Sequence, residues 1–183
     1  LVAQGTEGGG HGATRGLMSL VPEIVDLVKG RALVVAAGGI ADGRGLAAAL
    51  MLGASGVLMG TRFYATTDAA GADAAKEHIR AATGDMTARS IVFDISRRNV
   101  WPAPFTGRCL RNTFLDTWFG REVELLRRQS ELDRYDRARQ EGDFEVAAVI
   151  AGESSGLVHD IVDAREVVER TVQVAEALLG QRA

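Results

Sequence analysis

A histidine stands in a run of glycines near the start of the chain. Residues 4–12 read QGTEGGGHG, so that His11 lies between Gly10 and Gly12. Glycine has no side chain and lets backbone approach a ligand closely, and histidine is the usual side chain for proton transfer near neutral pH. The pattern predicts a catalytic His11 beside a flat ligand. The alternative is an ordinary exposed loop histidine.

Two glycine turns, Gly38–Gly39 and Gly60–Thr61, each follow a short apolar run and are one strand–helix–strand step apart. If the strands are parallel, both turns lie at the same edge of the sheet. Backbone N–H groups at such turns, next to a helix start, can bind an anion, and Thr61 adds a hydroxyl donor. We therefore predict a phosphate site. The alternative, that the glycines only form tight turns, stays open.

The elements that would position these residues alternate between strand and helix. Apolar runs at 1–3, 32–37 and 56–59 have strand length, and helical spacing occupies 16–29 and 42–53. Continuous apolar runs are typical of parallel strands that are covered on both faces. This order predicts an α/β fold of the (β/α)₈ TIM-barrel type, whose last loops often bind phosphate. Because no GxGxxG opens a helix, a dinucleotide-binding fold is the weaker interpretation.

The rest of the chain differs in composition and is divided accordingly. We interpret residues 1–65 as C-terminal βα units of a barrel, 66–150 as a helical and irregular insertion or lid, and 151–183 as a pocket turn with a docking helix. Within these units the periodicity predicts helices at 68–82, 121–140 and 163–179, with an irregular segment at 84–120.

An arginine-rich stretch begins near Asp94 and continues to Arg128, with acidic residues interleaved. We interpret it as a salt-bridged surface that Trp101 and Trp118 anchor to the core. A lid that faces the substrate is the alternative.

Composition excludes several classes of function. The net charge of −3 argues against a general nucleic-acid binder, and no uncharged apolar run is long enough to span a membrane. The single cysteine, Cys109, permits no internal disulfide, so we interpret it as a buried thiol in a cytoplasmic protein. The sequence carries no metal-ligand spacing. His78 is predicted to lie on a solvated helix face, and His159 is predicted to be a capping or surface residue.

Three segments resemble the nitronate monooxygenase family, also called 2-nitropropane dioxygenases. Residues 4–12 are similar to that family's QGxEAGGHxG, residues 36–45 to its AAGGIADGRG, and residues 53–63 to its LGAxGVxMGTRF. The order and spacing of the three motifs make the resemblance specific over residues 1–65, and it is looser beyond. One departure is Gly8, where the family often has Ala or Cys.

The resemblance implies an FMN-dependent oxidation of alkyl nitronates by O2, which yields a carbonyl compound and nitrite. It implies that His11 acts as base on the nitro substrate or binds it. The positions that it places near the flavin or its phosphate are Gln4, Gly10, Gly38, Gly39, Met59, Gly60 and Thr61.

The motifs match only the C-terminal half of the family's barrel, and the chain opens at Leu1 in what we predict is the end of a strand. A barrel needs all its strands, because an open edge leaves backbone groups unpaired. We expect a preceding segment or a second copy of the chain to complete it. Two alternatives remain, an FMN-dependent enoyl-thioester reductase of the same barrel type and an inactive fragment or subunit.

Overall fold

The computed structural model describes residues 1–180, which form strands and helices in alternation and then a mostly helical part. The strands are β1 (Val2–Gln4), β2 (Gly10–Gly12), β3 (Val35–Ala37), β4 (Gly56–Leu58), β5 (Thr87–Ser90) and β6 (Thr106–Leu110). The α-helices are α1 (Leu17–Val28), α2 (Gly43–Met51), α3 (Thr61–Tyr64), α4 (Asp73–Ala81), α5 (Val92–Ser96), α6 (Thr113–Trp118), α7 (Glu122–Leu125), α8 (Gln129–Glu141) and α9 (Ala164–Gly180). Short 3₁₀ helices cover Gly84–Met86 and Glu153–Leu157.

The first sheet is parallel, with strand order β1-β3-β4. Its register places Ala3 beside Ala36 and Ala36 beside Val57, and these side chains join the apolar cluster formed with α1 and α2. The predicted α/β fold with parallel strands is therefore confirmed. On the opposite face Val2 and Leu58 are more than half exposed in residues 1–180, so the three strands by themselves are covered on one side.

The second sheet is antiparallel, with order β2-β6-β5, and it corrects the prediction that residues 84–120 are irregular. The apolar pattern is interrupted in these strands because Arg89 of β5 and Arg108 of β6 point inward to backbone and side-chain acceptors. Because β2 pairs with β6 in this sheet, His11 lies on a strand and not in the loop that the sequence predicted.

The helical part has an apolar cluster of its own around α5, α6 and α8. Phe93, Phe114 and Tyr135 meet there as aromatic rings, and Trp118, 6% exposed, packs beside them. The predicted helix over 121–140 is divided into α7 and α8. The prediction that Trp101 anchors this segment is wrong, since Trp101 is 42% exposed.

The last helix packs along α2. The Asp163 carboxylate accepts the Glu166 N–H at 2.7 Å and so caps the start of this helix. The two helices approach so closely that a Cβ on Gly43 would lie 2.4 Å from the Thr171 carbonyl oxygen. This helix ends within the unit predicted for 151–183, whose last three residues lie outside the described part of the chain.

Other predictions on single residues hold. His78 and His159 are exposed, and Cys109 is buried. Burial raises the pKa of the Cys109 thiol to about 12. Much of the arginine-rich stretch is a salt-bridged surface, as in the pairs that Arg98 forms with Asp133 and Asp136. From residue 1 to residue 180 no helix has the length and apolar character needed to cross a membrane.

Candidate active site

A hollow of about 310 Å³ lies at the carboxyl ends of the three parallel strands. Ligand sites in α/β sheets occupy this position, and the volume is at the lower end of the usual range for small-molecule sites. Five of the residues singled out in the sequence line it, and nine others join them. The lining is Gln4, Gly8, Gly9, Ala37, Gly38, Gly39, Ile40, Leu58, Gly60, Thr61, Tyr64, Ile150, Gly152 and Ser154.

The turn after β3 requires glycine for two reasons. Gly38 and Gly39 have φ angles of 102° and 70°, which side chains other than glycine rarely adopt. A Cβ on Gly38 would also lie 2.9 Å from the Gly5 carbonyl oxygen. The turn therefore brings bare backbone to the surface of the hollow.

The turn after β4 behaves differently, because nothing in residues 1–180 requires glycine at position 60. The φ angle of Gly60 is −96°, which any residue adopts, and a Cβ there would meet no atom within 4 Å. A glycine that faces open space in a ligand-sized hollow is what a close-lying ligand would need.

Thr61 is 8% exposed and adds a hydroxyl to the same turn. Its Oγ1 accepts the Gly152 N–H at 2.9 Å, so the hydroxyl hydrogen can still be donated to a ligand. This bond ties the β4 turn to the segment before the 3₁₀ helix at Glu153–Leu157. The bare turns and the hydroxyl donor fit a phosphate group.

Met59 and Gly10 lie outside the hollow's lining. Met59 packs against the apolar cluster of the first sheet, and its neighbour Leu58 lines the hollow instead, because side chains alternate along a strand. Sequence reasoning missed Tyr64 and Ile150 as lining residues. Gly152 and Ser154 belong to the segment that the sequence predicted as a pocket turn at the start of 151–183.

His11 lies on β2 directly opposite Gly107 of β6. Its side chain is 22% exposed, and Nε2 is 3.0 Å from Oδ1 of Asp94. Its ring stacks on Trp101 with centroids 4.1 Å apart and an angle of 13° between the planes. A Cβ on Gly107 would lie 3.7 Å from Nε2, in ordinary van der Waals contact with the ring.

Asp94 was interpreted as part of an exposed salt-bridged surface, and this is wrong. Its side chain is 4% exposed, and it reaches His11 from the short helix α5. The apolar neighbours Val92, Phe93 and Ile95 belong to the helical part's core, which fixes α5 in place. Its position within a short, mostly apolar helix is the signal that could have found it.

A second cavity, next to the hollow, contains the His11–Asp94 pair. It is small, and Gly10 and Ile150 line it together with the pair. Ile150 also lines the hollow, so the two spaces share a wall. The Gln4 side chain, which lines the hollow, donates from Nε2 to the His11 carbonyl oxygen at 2.8 Å. The base candidate and the glycine turns are therefore neighbours.

Arg89 holds the glycine-rich segment that carries His11. Its guanidinium donates to backbone carbonyl oxygens on the segment and on β6, at distances from 2.6 to 3.3 Å. Burial and the nearby Arg108 lower its pKa, although the guanidinium stays charged at neutral pH. The carbonyl acceptors belong to Thr6, Gly8, Gly10, Gly12 and Thr106.

No group of side chains within residues 1–180 has the composition and proximity to hold a metal ion. The groups that the described residues offer are a buried carboxylate, an imidazole, and glycine turns with bare backbone and one hydroxyl donor. This set suits the binding of a phosphate-bearing ligand and the transfer of a proton beside it.

Comparison with known proteins identifies the family of the chain. The family model for nitronate monooxygenase matches residues 1–173. A nitronate monooxygenase of Metarhizium robertsii is 39% identical over 192 residues, which cover 98% of this chain and 52% of that protein. The chain thus spans about half the length of the curated relatives it matches.

Two solved structures are also similar. Nitroalkane oxidase from Streptomyces ansochromogenes gives a TM-score of 0.79 at 26% identity, over 100% of this chain and 53% of that one. FabK from Thermotoga maritima gives 0.80 at 30% identity, over 98% and 55% respectively. On the family match over nearly its whole length, the chain belongs to the nitronate monooxygenase family, a family of oxidoreductases.

Proposed function

We propose that the chain carries the phosphate-holding turns and the catalytic base of an FMN-dependent nitronate monooxygenase built on a (β/α)₈ barrel. The observation that carries this proposal is the common wall between the hollow and the cavity of His11. It puts a candidate proton acceptor next to a candidate phosphate site, in a chain of the matching family.

The residues that would hold the flavin phosphate are Gly38, Gly39, Gly60 and Thr61, through bare backbone and one hydroxyl. Gln4 lines the same hollow, and its Nε2 donates to the His11 carbonyl oxygen on β2. When bound, FMN supplies the redox chemistry by which a nitronate is oxidised with O2 to a carbonyl compound and nitrite.

His11 would take a proton from the carbon next to the nitro group, or would bind the nitro group of a nitronate that is already formed. In either role the ring is held on one side by Asp94 and on its face by Trp101. Both partners keep the ring in one orientation, which proton transfer at a fixed atom requires.

The test compares the intact protein with its His11→Ala variant. We expect the purified protein to show a flavin absorption spectrum, to release FMN on denaturation, and to produce nitrite from an alkyl nitronate with consumption of O2. His11→Ala should lower kcat by about 10²-fold or more while flavin stays bound, since general bases contribute about that factor. His78→Ala, at an exposed histidine, is the matched control and should leave kcat unchanged.

A colourless protein that takes up no FMN would contradict the proposal and favour a non-enzymatic subunit. Full activity in His11→Ala, with flavin bound, would remove His11 from the reaction.

The second candidate is an FMN-dependent enoyl-thioester reductase, which the similarity to FabK favours. It uses the same phosphate turns but needs a nicotinamide cofactor as electron source. Oxidation of NADH in the presence of an enoyl thioester, with no nitrite from a nitronate, would support this candidate over the first.

A further inference from the structure

The Asp94 side chain has one hydrogen-bond partner within residues 1–180, and that partner is His11, the proposed base. We propose that Asp94 is a positioning residue that holds the neutral His11 ring with its hydrogen on Nε2, so that Nδ1 is the atom that accepts the proton from substrate. This inference rests on the proposed role of His11 and specifies the reacting atom.

The first step is that, within residues 1–180, the Asp94 side chain has no polar partner other than His11. Its side chain is 4% exposed, Oδ1 pairs with His11 Nε2 at 3.0 Å, and Oδ2 is buried without any partner in the described residues. Burying a carboxylate is costly unless it is paired, and most buried side-chain oxygens have a hydrogen-bond partner. The Asp94 side chain therefore makes no other polar contact that would explain its presence.

Both residues of the pair lie on regular elements, which is the second step. His11 is fixed by the pairing of β2 with β6, and Gly107 opposite leaves room for its ring. Asp94 is fixed by α5, where Ser96 Oγ donates to the Val92 carbonyl oxygen at 2.9 Å. Stacking on Trp101 restricts rotation of the imidazole. The Nε2–Oδ1 contact is thus set by both elements.

The chemistry that follows is a single proton transfer. A carboxylate accepts hydrogen bonds and does not donate them, so Nε2 carries the hydrogen and the lone pair is on Nδ1. Nδ1 takes the proton from the carbon next to the nitro group, and the electron pair of the broken C–H bond stays on the substrate as the nitronate. The imidazolium that forms keeps its Nε2–H directed at the Asp94 carboxylate. No oxidant takes part in this step.

The experiment reads the tautomer directly and separately from activity. The intact protein is labelled with ¹⁵N-histidine, and the ring nitrogen signals of His11 are assigned by difference with His78→Gln and His159→Gln. We expect the neutral ring of His11 to be protonated on Nε2. Asp94→Asn should shift population toward the Nδ1–H form, because an amide can donate to Nε2.

The same variant should lower kcat for nitroalkane by about 10²-fold or more, with FMN content unchanged. Asp85→Asn, at an exposed aspartate, is the matched control and should alter neither the tautomer nor kcat. Asp94→Glu should keep the Nε2–H form, because a carboxylate again faces the ring.

An Nδ1–H tautomer in the unsubstituted protein would overturn the proposal even if Asp94→Asn failed to fold. An unchanged tautomer in a folded Asp94→Asn variant would overturn it as well. A third outcome separates the two proposals. If the unsubstituted protein shows the Nε2–H form and Asp94→Asn shifts the tautomer toward Nδ1–H, the positioning role stands. If the same unsubstituted protein oxidises no nitronate, the proposed function fails.

Discussion

Gly60 offers the most direct test of the phosphate turn at the level of one residue. Its φ angle suits any amino acid, and a Cβ would meet nothing within 4 Å in the described chain. Gly60→Val should therefore leave the free energy of unfolding of the flavin-free protein within about 0.5 kcal/mol of its original value. It should weaken FMN binding by about tenfold or more, because the new side chain occupies space that the ligand needs. Fluorescence titration with FMN measures this.

Gly56 supplies the matched control for that change. A Cβ there also meets nothing within 4 Å, but Gly56 does not line the hollow. Gly56→Val should therefore leave FMN affinity unchanged. Equal loss of affinity in both variants would remove the special role of Gly60.

At the scale of elements, the glycine-rich segment is held by a side chain from a neighbouring strand. Residues 5–9 form no regular ladder with either sheet, and the Arg89 guanidinium supplies donors to carbonyls along the segment. Segments rich in glycine lose much conformational entropy on ordering. The bonds from Arg89 offset part of that loss and hold the backbone that leads into β2.

Arg89→Met should therefore destabilise the fold by about 2–5 kcal/mol, because partly buried carbonyl groups lose a charged donor. Chemical denaturation of the intact protein measures the change in the free energy of unfolding. Arg98→Met is the control, since the ion pairs of Arg98 are largely exposed and should contribute no more than about 1 kcal/mol. A cost for Arg89→Met as small as that of the control would show that the segment holds its shape without the guanidinium.

For the whole molecule, the buried thiol makes stability depend on alkaline pH. Burial raises the pKa of Cys109 from 9.0 to about 12. Above pH 9 the unfolded chain releases this proton and the folded chain retains it, so the unfolded state gains stability as pH rises. The free energy of unfolding should fall between pH 9 and 12, with a contribution of at most about 1.4 kcal/mol per pH unit from this group.

Urea denaturation at successive pH values compares the unsubstituted protein with Cys109→Ala. The variant should show a shallower decline, while a remaining slope is expected from Tyr135, whose pKa burial also raises. Parallel profiles for the two proteins would contradict the assignment of this slope to Cys109.

The predictable part of the molecule is the parallel sheet with its turns. Its strands are continuous apolar runs and its turns are marked by glycine, so the local pattern carries both the fold class and the position of Thr61. The antiparallel sheet was not predictable in the same way. Its strands contain Arg89 and Arg108, whose partners are backbone groups distant in sequence.

The candidate site was likewise predictable in part. The resemblance located His11, but Asp94 and Trp101 lie about 80 or more positions further along and meet it only through the pairing of β2 with β6. Contacts of this kind depend on tertiary structure, and no local periodicity reports them. Exposure of Trp101 was likewise unforeseen, because an aromatic residue is more often buried than stacked on a polar ring.

The residues proposed for phosphate binding and those proposed for proton transfer lie in different parts of the protein. Thr61 and the glycine turns follow strands of the parallel sheet, whereas His11 lies on the antiparallel sheet, Asp94 on α5 and Trp101 in the loop between α5 and β6. Each part has its own apolar cluster. Changes between residues 97 and 106, which include Trp101, can therefore reshape the surroundings of His11, the proposed base, without disturbing the glycine turns of the parallel sheet.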